Sequence, residues 1–222
     1  MSNSSTESTR SARIEEMIDA ARDFYRFGWL GGSSGNMSFR FDDDTVVITS
    51  TGGHKGALDP GDFVDVDLQG DPKTDGADPS VDTDIHLAIY EYVEDAGAVV
   101  HVHHLQAALC SDRDQKRGST HFHELRMLHA LGVEGDEPTC EIPVLDNPAE
   151  VDELATLVED ALRDADSPPI ACLNVHNHGL YVWGRTIDEA RRHVEACAYL
   201  FEYSWQCPMH PKKSESISGF QT

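Results

Sequence analysis

Lysine is scarce in this 222-residue chain: 5 Lys stand beside 12 Arg, against 24 Asp and 16 Glu, for a formal net charge of −23. A surface of that sign repels phosphate backbones and anionic headgroups, which excludes a nucleic-acid groove and an anionic-membrane binder. A local pocket can still hold a small phosphorylated molecule. Excess Asp over Lys also suits a halophilic protein in a salt-rich cytosol. There the Debye length falls to about 3 Å and self-repulsion is screened. An ordinary acidic protein fits the same composition. Cysteine is sparse as well: Cys110, Cys140, Cys172, Cys197 and Cys207 are odd in number and scattered, with no C-x-x-C. That argues against a disulfide framework and for a reducing, cytoplasmic compartment. No apolar run of about 18 residues exists, so no transmembrane helix is expected. Residues 1–10 are polar and read as a disordered tail rather than a signal peptide; residues 207–222 read as a second tail. The 39% hydrophobic content is too high for a disordered chain of this charge, and the length between the tails, 11–206, suits one domain.

What is present alternates between helix and strand periods. Ile14, Met17, Ile18, Ala21 and Tyr25 follow one helix face, which Gly28 ends. Met37–Arg40 and Thr45–Thr49 read as strands across an acidic turn, and Phe63–Leu68 as a third. A helix over Asp82–Val93, a strand over Gly97–His103 and a short helix from Ala107 follow. Glu124–Leu131 reads as helix and Glu141–Leu145 as strand. Asn147 as N-cap with Pro148 behind it predicts the start of an amphipathic helix through Val151, Leu154, Ala155, Val158 and Leu162. Ile170–Val175 and Leu180–Trp183 read as strands around a His-rich turn. Thr186 and Glu189 form a capping box for a last helix with Ile187, Ala190, Val194, Cys197, Ala198 and Phe201 on its face. Many strands are joined too tightly for parallel crossovers, so the expectation is one α/β domain with a largely antiparallel sheet and helices on both faces.

Twelve histidines are many for this length, and they cluster. His101 and His103 are two apart on a strand, so both imidazoles share a face. That spacing suits two neutral ligands on one metal, as well as an ordinary histidine pair. A catalytic zinc needs a third ligand and an open position. The turn Val175–Gly179 can supply it through His178 or through His176. His104 points to the other face and reads as packed. The Gly/Ser turns Ser34-Gly35-Asn36 and Thr51-Gly52, with Lys55 and with Ser80 just ahead of the helix at Asp82, fit an anion nest. Each also fits an ordinary hairpin turn; the nest requires the fold to bring them together.

Several ordered motifs carry a resemblance. Ser34-Gly35-Asn36-Met37-Ser38-Phe39-Arg40 and Ile48–Gly52 with Leu58-Asp59-Pro60 are two. Ser80-Val81-Asp82 with His86, the block Gly97–His103 and the ending Asn177–Gly184 complete the set. Over residues 11–206 the chain resembles the class II aldolase/adducin superfamily. Gly53-His54-Lys55-Gly56, His123-Glu124, Ile142–Asn147 and the ending at Leu200-Phe201-Glu202 make it similar to its methylthioribulose-1-phosphate dehydratases. The resemblance implies a three-layer αβα fold, a homotetramer, and one zinc per subunit on His101, His103 and His178. The donor set by itself also suits Fe2+ or Mn2+. It implies dehydration of a sugar phosphate, 5-methylthioribulose 1-phosphate, to the 2,3-diketo product in methionine salvage. Glu124 is the implied acid/base and Ser34, Gly35, Asn36, Thr51, Gly52, Lys55, Ser80 and Asp82 the substrate or phosphate contacts. The residues alone allow Glu124 a bland role as a first-turn helix carboxylate. Asp82 stands where the superfamily's aldolases keep their acid/base glutamate, one carbon shorter. A fuculose- or ribulose-phosphate aldolase or epimerase is the alternative.

Overall fold

A computed structural model describes residues 2–163 and 170–207. Five α-helices and eight strands alternate: α1 Ser2–Arg26, β1 Asn36–Asp42, β2 Thr45–Thr49, β3 Phe63–Val66, α2 Thr83–Tyr92, β4 Ala98–Val102, α3 Leu105–Asp114, β5 Ser119–His123, β6 Thr139–Leu145, α4 Val151–Arg163, β7 Cys172–Val175, β8 Gly179–Gly184 and α5 Ile187–Gln206. The strands form one sheet in the order β3-β2-β1-β4-β8-β7-β6-β5. Every pairing is antiparallel except β6 with β7.

Period-two alternation sorts the strand side chains onto two cores. Met37, Phe39, Val100, Val102, Leu180 and Val182 pack with α1, α3 and α5. Val46, Ile48, Val99, Leu173, Tyr181 and Trp183 pack with α2 and α4. The result is the three-layer αβα arrangement with a mainly antiparallel sheet. Its strand directions matter for the site: the start of β1, the ends of β2 and β4 and the start of β8 all lie at one end of the sheet. The end of β5 lies at the other.

Several local expectations change. Residues 2–10 are not a loose tail but the first turns of α1, and Arg10 pairs with Asp65 of β3. A polar segment reads as disordered when nothing nearby shows it a partner. Phe24, not Tyr25, completes the buried face of α1; Tyr25 is 38% exposed. The strand β5 lies where the sequence reading expects none, although Thr120 and Phe122 alternate inward. Glu124 does not open an α-helix. It takes φ +55° in the left-handed region, and a 3-10 helix, Arg126–Leu131, follows. Helix α4 starts at Val151 rather than at Asn147. The capping box of α5 is half formed: Thr186 accepts from the Glu189 amide at 3.1 Å. The Glu189 carboxylate instead takes the Arg185 amide at 2.7 Å. Cys207 closes α5, and residues 208–222 of the expected C-terminal tail lie outside the described residues.

Candidate metal centre

The pairing of β4 with β8 sets His101 opposite Tyr181 and Val102 opposite Leu180. Gly179 begins β8 so close to β4 that an added Cβ would stand 2.3 Å from the Val102 carbonyl oxygen. That approach, with Asn177 at φ +52°, turns His178 back over the end of β4. Among the described residues, His101, His103 and His178 form the one cluster suited to a metal ion. His101 Nε2 lies 3.0 Å from His103 Nε2 and 3.3 Å from His178 Nε2. Tetrahedral zinc with Zn–N bonds near 2.0–2.1 Å holds its ligand nitrogens about 3.4 Å apart, so the donor set fits such an ion. His101 Nδ1 lies 3.0 Å from the Leu180 carbonyl. Donating its proton there frees Nε2 as a lone pair facing the cluster. Burial, with its two neighbours, pushes His101 well below the usual imidazole range. Burial lowers His103 to about 4 and lowers His178 too. Neutral imidazoles are the form that ligates.

The two histidines that neighbour the cluster in sequence, His104 and His176, are engaged elsewhere. His104 is buried, caps α3 by accepting the Ala107 amide at 3.3 Å and packs edge-on against Trp29. His176 points away toward Asp112, at 3.4 Å.

Asp82 is the carboxylate that reaches the cluster. Its Oδ2 lies 3.9 Å from His101 Nε2 and accepts from Asn36 Nδ2 at 2.6 Å. Tyr181 stacks on His101 with centroids 4.1 Å apart; burial and the nearby Asp82 push its hydroxyl well above the usual phenol range.

The fold also gathers the two Gly/Ser turns at this end. Lys55, buried, donates to Gly53 O at 2.8 Å and Ser33 O at 3.5 Å, tying one turn to the other. Burial lowers its pKa. Ser80 donates its amide to Thr49 O at 3.1 Å, and Thr51 Oγ1 donates to Pro79 O at 2.8 Å. Gly35, at φ +73°, sits where a Cβ would meet the His101 carbonyl at 2.6 Å. Ser34 Oγ donates to Gly31 O at 2.6 Å. The Ser34 hydroxyl thus donates within its own loop, and the Thr51 hydroxyl to the segment ahead of α2. Gly52, at φ +76°, keeps that turn tight.

Glu124 is not brought to this place. It is exposed, its amide donates to Pro138 O at 2.8 Å, and β5 stands four strands from β4. At about 4.8 Å per strand that is roughly 19 Å sideways, and the antiparallel directions put Glu124 at the opposite end of the sheet. Its neighbours His123 and Leu125 line a separate cavity of about 450 Å³ with Arg113, Arg117 and His121. Within one chain, no side chain spans that distance. The site residues that sequence reasoning left without a role are Ser38, His86 and Tyr181. The Asp82, His86, Tyr90 spacing of four on α2 was a signal for His86.

The Class II Aldolase and Adducin N-terminal domain family matches residues 15–205. A methylthioribulose-1-phosphate dehydratase of Hahella chejuensis is 34% identical over 192 residues, covering 86% of this chain and 91% of that one. That of Granulibacter bethesdensis is 37% identical over 178 residues, 78% and 81% of the two chains. Among solved structures, YgbL of Klebsiella pneumoniae superposes with TM-score 0.78 at 21% identity over 92% of this chain and 93% of that one. The L-fuculose-1-phosphate aldolase of Thermus thermophilus does so with TM-score 0.69 at 23% identity, over 89% and 98%. The likeness to these structures is one of fold. With the family match spanning nearly every described element, this chain belongs to the class II aldolase and adducin N-terminal domain family.

Proposed function

We propose that the chain is a metal-dependent lyase, a methylthioribulose-1-phosphate dehydratase of methionine salvage, working in a salt-rich cytoplasm. It removes water from 5-methylthioribulose 1-phosphate to give the 2,3-diketo-5-methylthiopentyl 1-phosphate. The observation that carries this reading is the convergence of His103 Nε2 and His178 Nε2 on His101 Nε2, at 3.0 and 3.3 Å, in a chain 34–37% identical to proteins of that name. His101, His103 and His178 would hold the ion, zinc in our reading. When bound it supplies a Lewis acid for the negative charge that develops as the C3 proton leaves.

The remaining work falls to side chains and backbone. The turns at Ser34-Gly35-Asn36 and Thr51-Gly52, with Ser80, cradle the phosphate, and the buried Lys55 beneath them offsets its charge. Asn36 and Asp82 face the reacting carbons from beside His101. Expulsion of the C4 hydroxyl needs a proton donor. In our reading Glu124, arriving from another copy of the chain in a homotetramer, takes the C3 proton and returns it to the departing C4 hydroxyl, and the enol left behind tautomerises to the 2,3-diketone. An exposed carboxylate held at φ +55° supports a functional role, since non-glycine residues keep such a conformation only where the surroundings impose it.

The position of Asp82 beside His101 favours one competitor, a sugar-phosphate aldolase or epimerase, in which this carboxylate moves the proton. Purified protein loaded with zinc is incubated with 5-methylthioribulose 1-phosphate and, separately, with fuculose and ribulose phosphates. The dehydratase reading expects the diketone from the first and no aldol fragments or epimers from the others; cleavage or epimerisation without dehydration refutes it.

A further inference from the structure

Helix α2 and strand β1 mesh through polar groups where two apolar faces would be ordinary. Asp82, His86 and Tyr90 are spaced by four along one helix face; Asn36 and Ser38 are spaced by two along one strand face. All five are buried. Tyr90 Oη lies 2.8 Å from Ser38 Oγ, and Ser38 Oγ lies 2.7 Å from His86 Nδ1. His86 Nε2 lies 2.6 Å from Asn36 Oδ1, and Asn36 Nδ2 donates to Asp82 Oδ2 at 2.6 Å.

The direction of every proton in this row follows from its end. A carboxylate accepts, so Asn36 must turn its NH2 to Asp82 and its oxygen to His86. His86 must then donate from Nε2. Full burial lowers its pKa to about 4, so the ring is neutral and carries one N–H; Nδ1 is left as acceptor for the Ser38 hydroxyl. Ser38 in turn accepts from Tyr90, whose hydroxyl burial pushes well above its ordinary value.

We propose that His86 is a positioning residue: through Asn36 it fixes Asp82 in one orientation, Oδ2 engaged, at the edge of the three-histidine cluster. The inference rests on reading that cluster as the reaction centre. Removing the imidazole donor frees the Asn36 amide to rotate, and Asp82 then loses the donor that engages its Oδ2 beside the His101 ring. Groups that orient the residues around a metal site typically cost 10–100-fold in affinity or activity when removed.

Three measurements on the full-length, metal-loaded protein test this. Nitrogen NMR of the His86 ring should show a protonated Nε2 and a bare Nδ1. The Asn36 side-chain amide protons should be protected from solvent exchange, and lose that protection in His86→Leu. That variant should drop kcat by about 10–100-fold with little change in KM, while His86→Gln, which can donate from the same place, recovers most of it. Melting temperatures identify any variant that fails to fold, and the NMR measurements on the wild type stand without variants. An Nδ1–H tautomer, or a folded His86→Leu with wild-type kcat, overturns the proposal. A wild-type protein without dehydratase turnover refutes the proposed function instead, and the tautomer and the Asn36 protection then decide this inference alone.

Discussion

Pairing two dead enzymes tests whether Glu124 acts across a boundary between copies. His178→Ala removes a ligand of the cluster but leaves Glu124 intact; Glu124→Gln leaves the cluster intact but removes proton exchange. Alone, Glu124→Gln should lose about 10²–10⁴ in kcat, the usual worth of general acid–base catalysis, with full metal content. His178→Ala should lose its metal. Because Glu124 lies four strands over and at the far end of the sheet, the proposed mechanism requires the cluster of one copy and the glutamate of another. In equal, randomly reassembled mixtures, half the clusters are intact and half of those face an intact glutamate. About one quarter of sites should therefore be whole, and about a quarter of wild-type turnover should return. The assay is dehydration by the co-expressed or co-refolded mixture, with distinct tags proving that mixed oligomers form. If tagged mixed oligomers are present and turnover stays at the level of the two parents, the trans arrangement is refuted. A Glu124→Gln enzyme with near-wild-type turnover removes Glu124 from the mechanism altogether.

Metal analysis of single variants should find His101→Ala, His103→Ala and His178→Ala depleted and His104→Ala loaded, because His104 is committed to capping α3; a loaded His178→Ala moves the third ligand elsewhere. Lys55→Met should raise KM for the phosphorylated substrate at full metal content. It should also lower the melting temperature, since the carbonyls of Gly53 and Ser33 lose their donor; an unchanged KM leaves Lys55 only its loop-tying role. The Glu189 carboxylate is lowered to about 2 by its bonds from Arg185. Its folded pKa lies below the unfolded one, so its stabilisation is present above about pH 4.5 and fades as pH falls toward 2. Glu189→Gln should therefore melt about 1–3 °C lower than wild type near neutrality, with the gap closing in acid; a gap that widens in acid contradicts the assignment. At −23 net charge, screening should raise the melting temperature as KCl is added from low to molar concentration; a steady fall would show that attractive ion pairs dominate instead.

Local periodicity made much of this protein legible. The buried face of α5 is the one its 3.6-residue spacing marks, and the alternation in β4 and β8 places their side chains on the faces they occupy. His101 and His103 share a face for the same reason, because period two is a property of any strand. The acidity, too, is composition alone. What the sequence could not carry is which distant segments meet, and at which end. Glu124 follows His103 closely in the chain, yet an antiparallel strand and the order β4-β8-β7-β6-β5 carry it to the opposite corner. The choice of His178 over His176 depended on Gly179 pressing against Val102, a contact between segments far apart in sequence. The row from Tyr90 to Asp82 exists only because β1 lies against α2. Periodicity fixes the face of a residue through local sterics; strand order and direction, set by packing of the whole core, decide what that face meets.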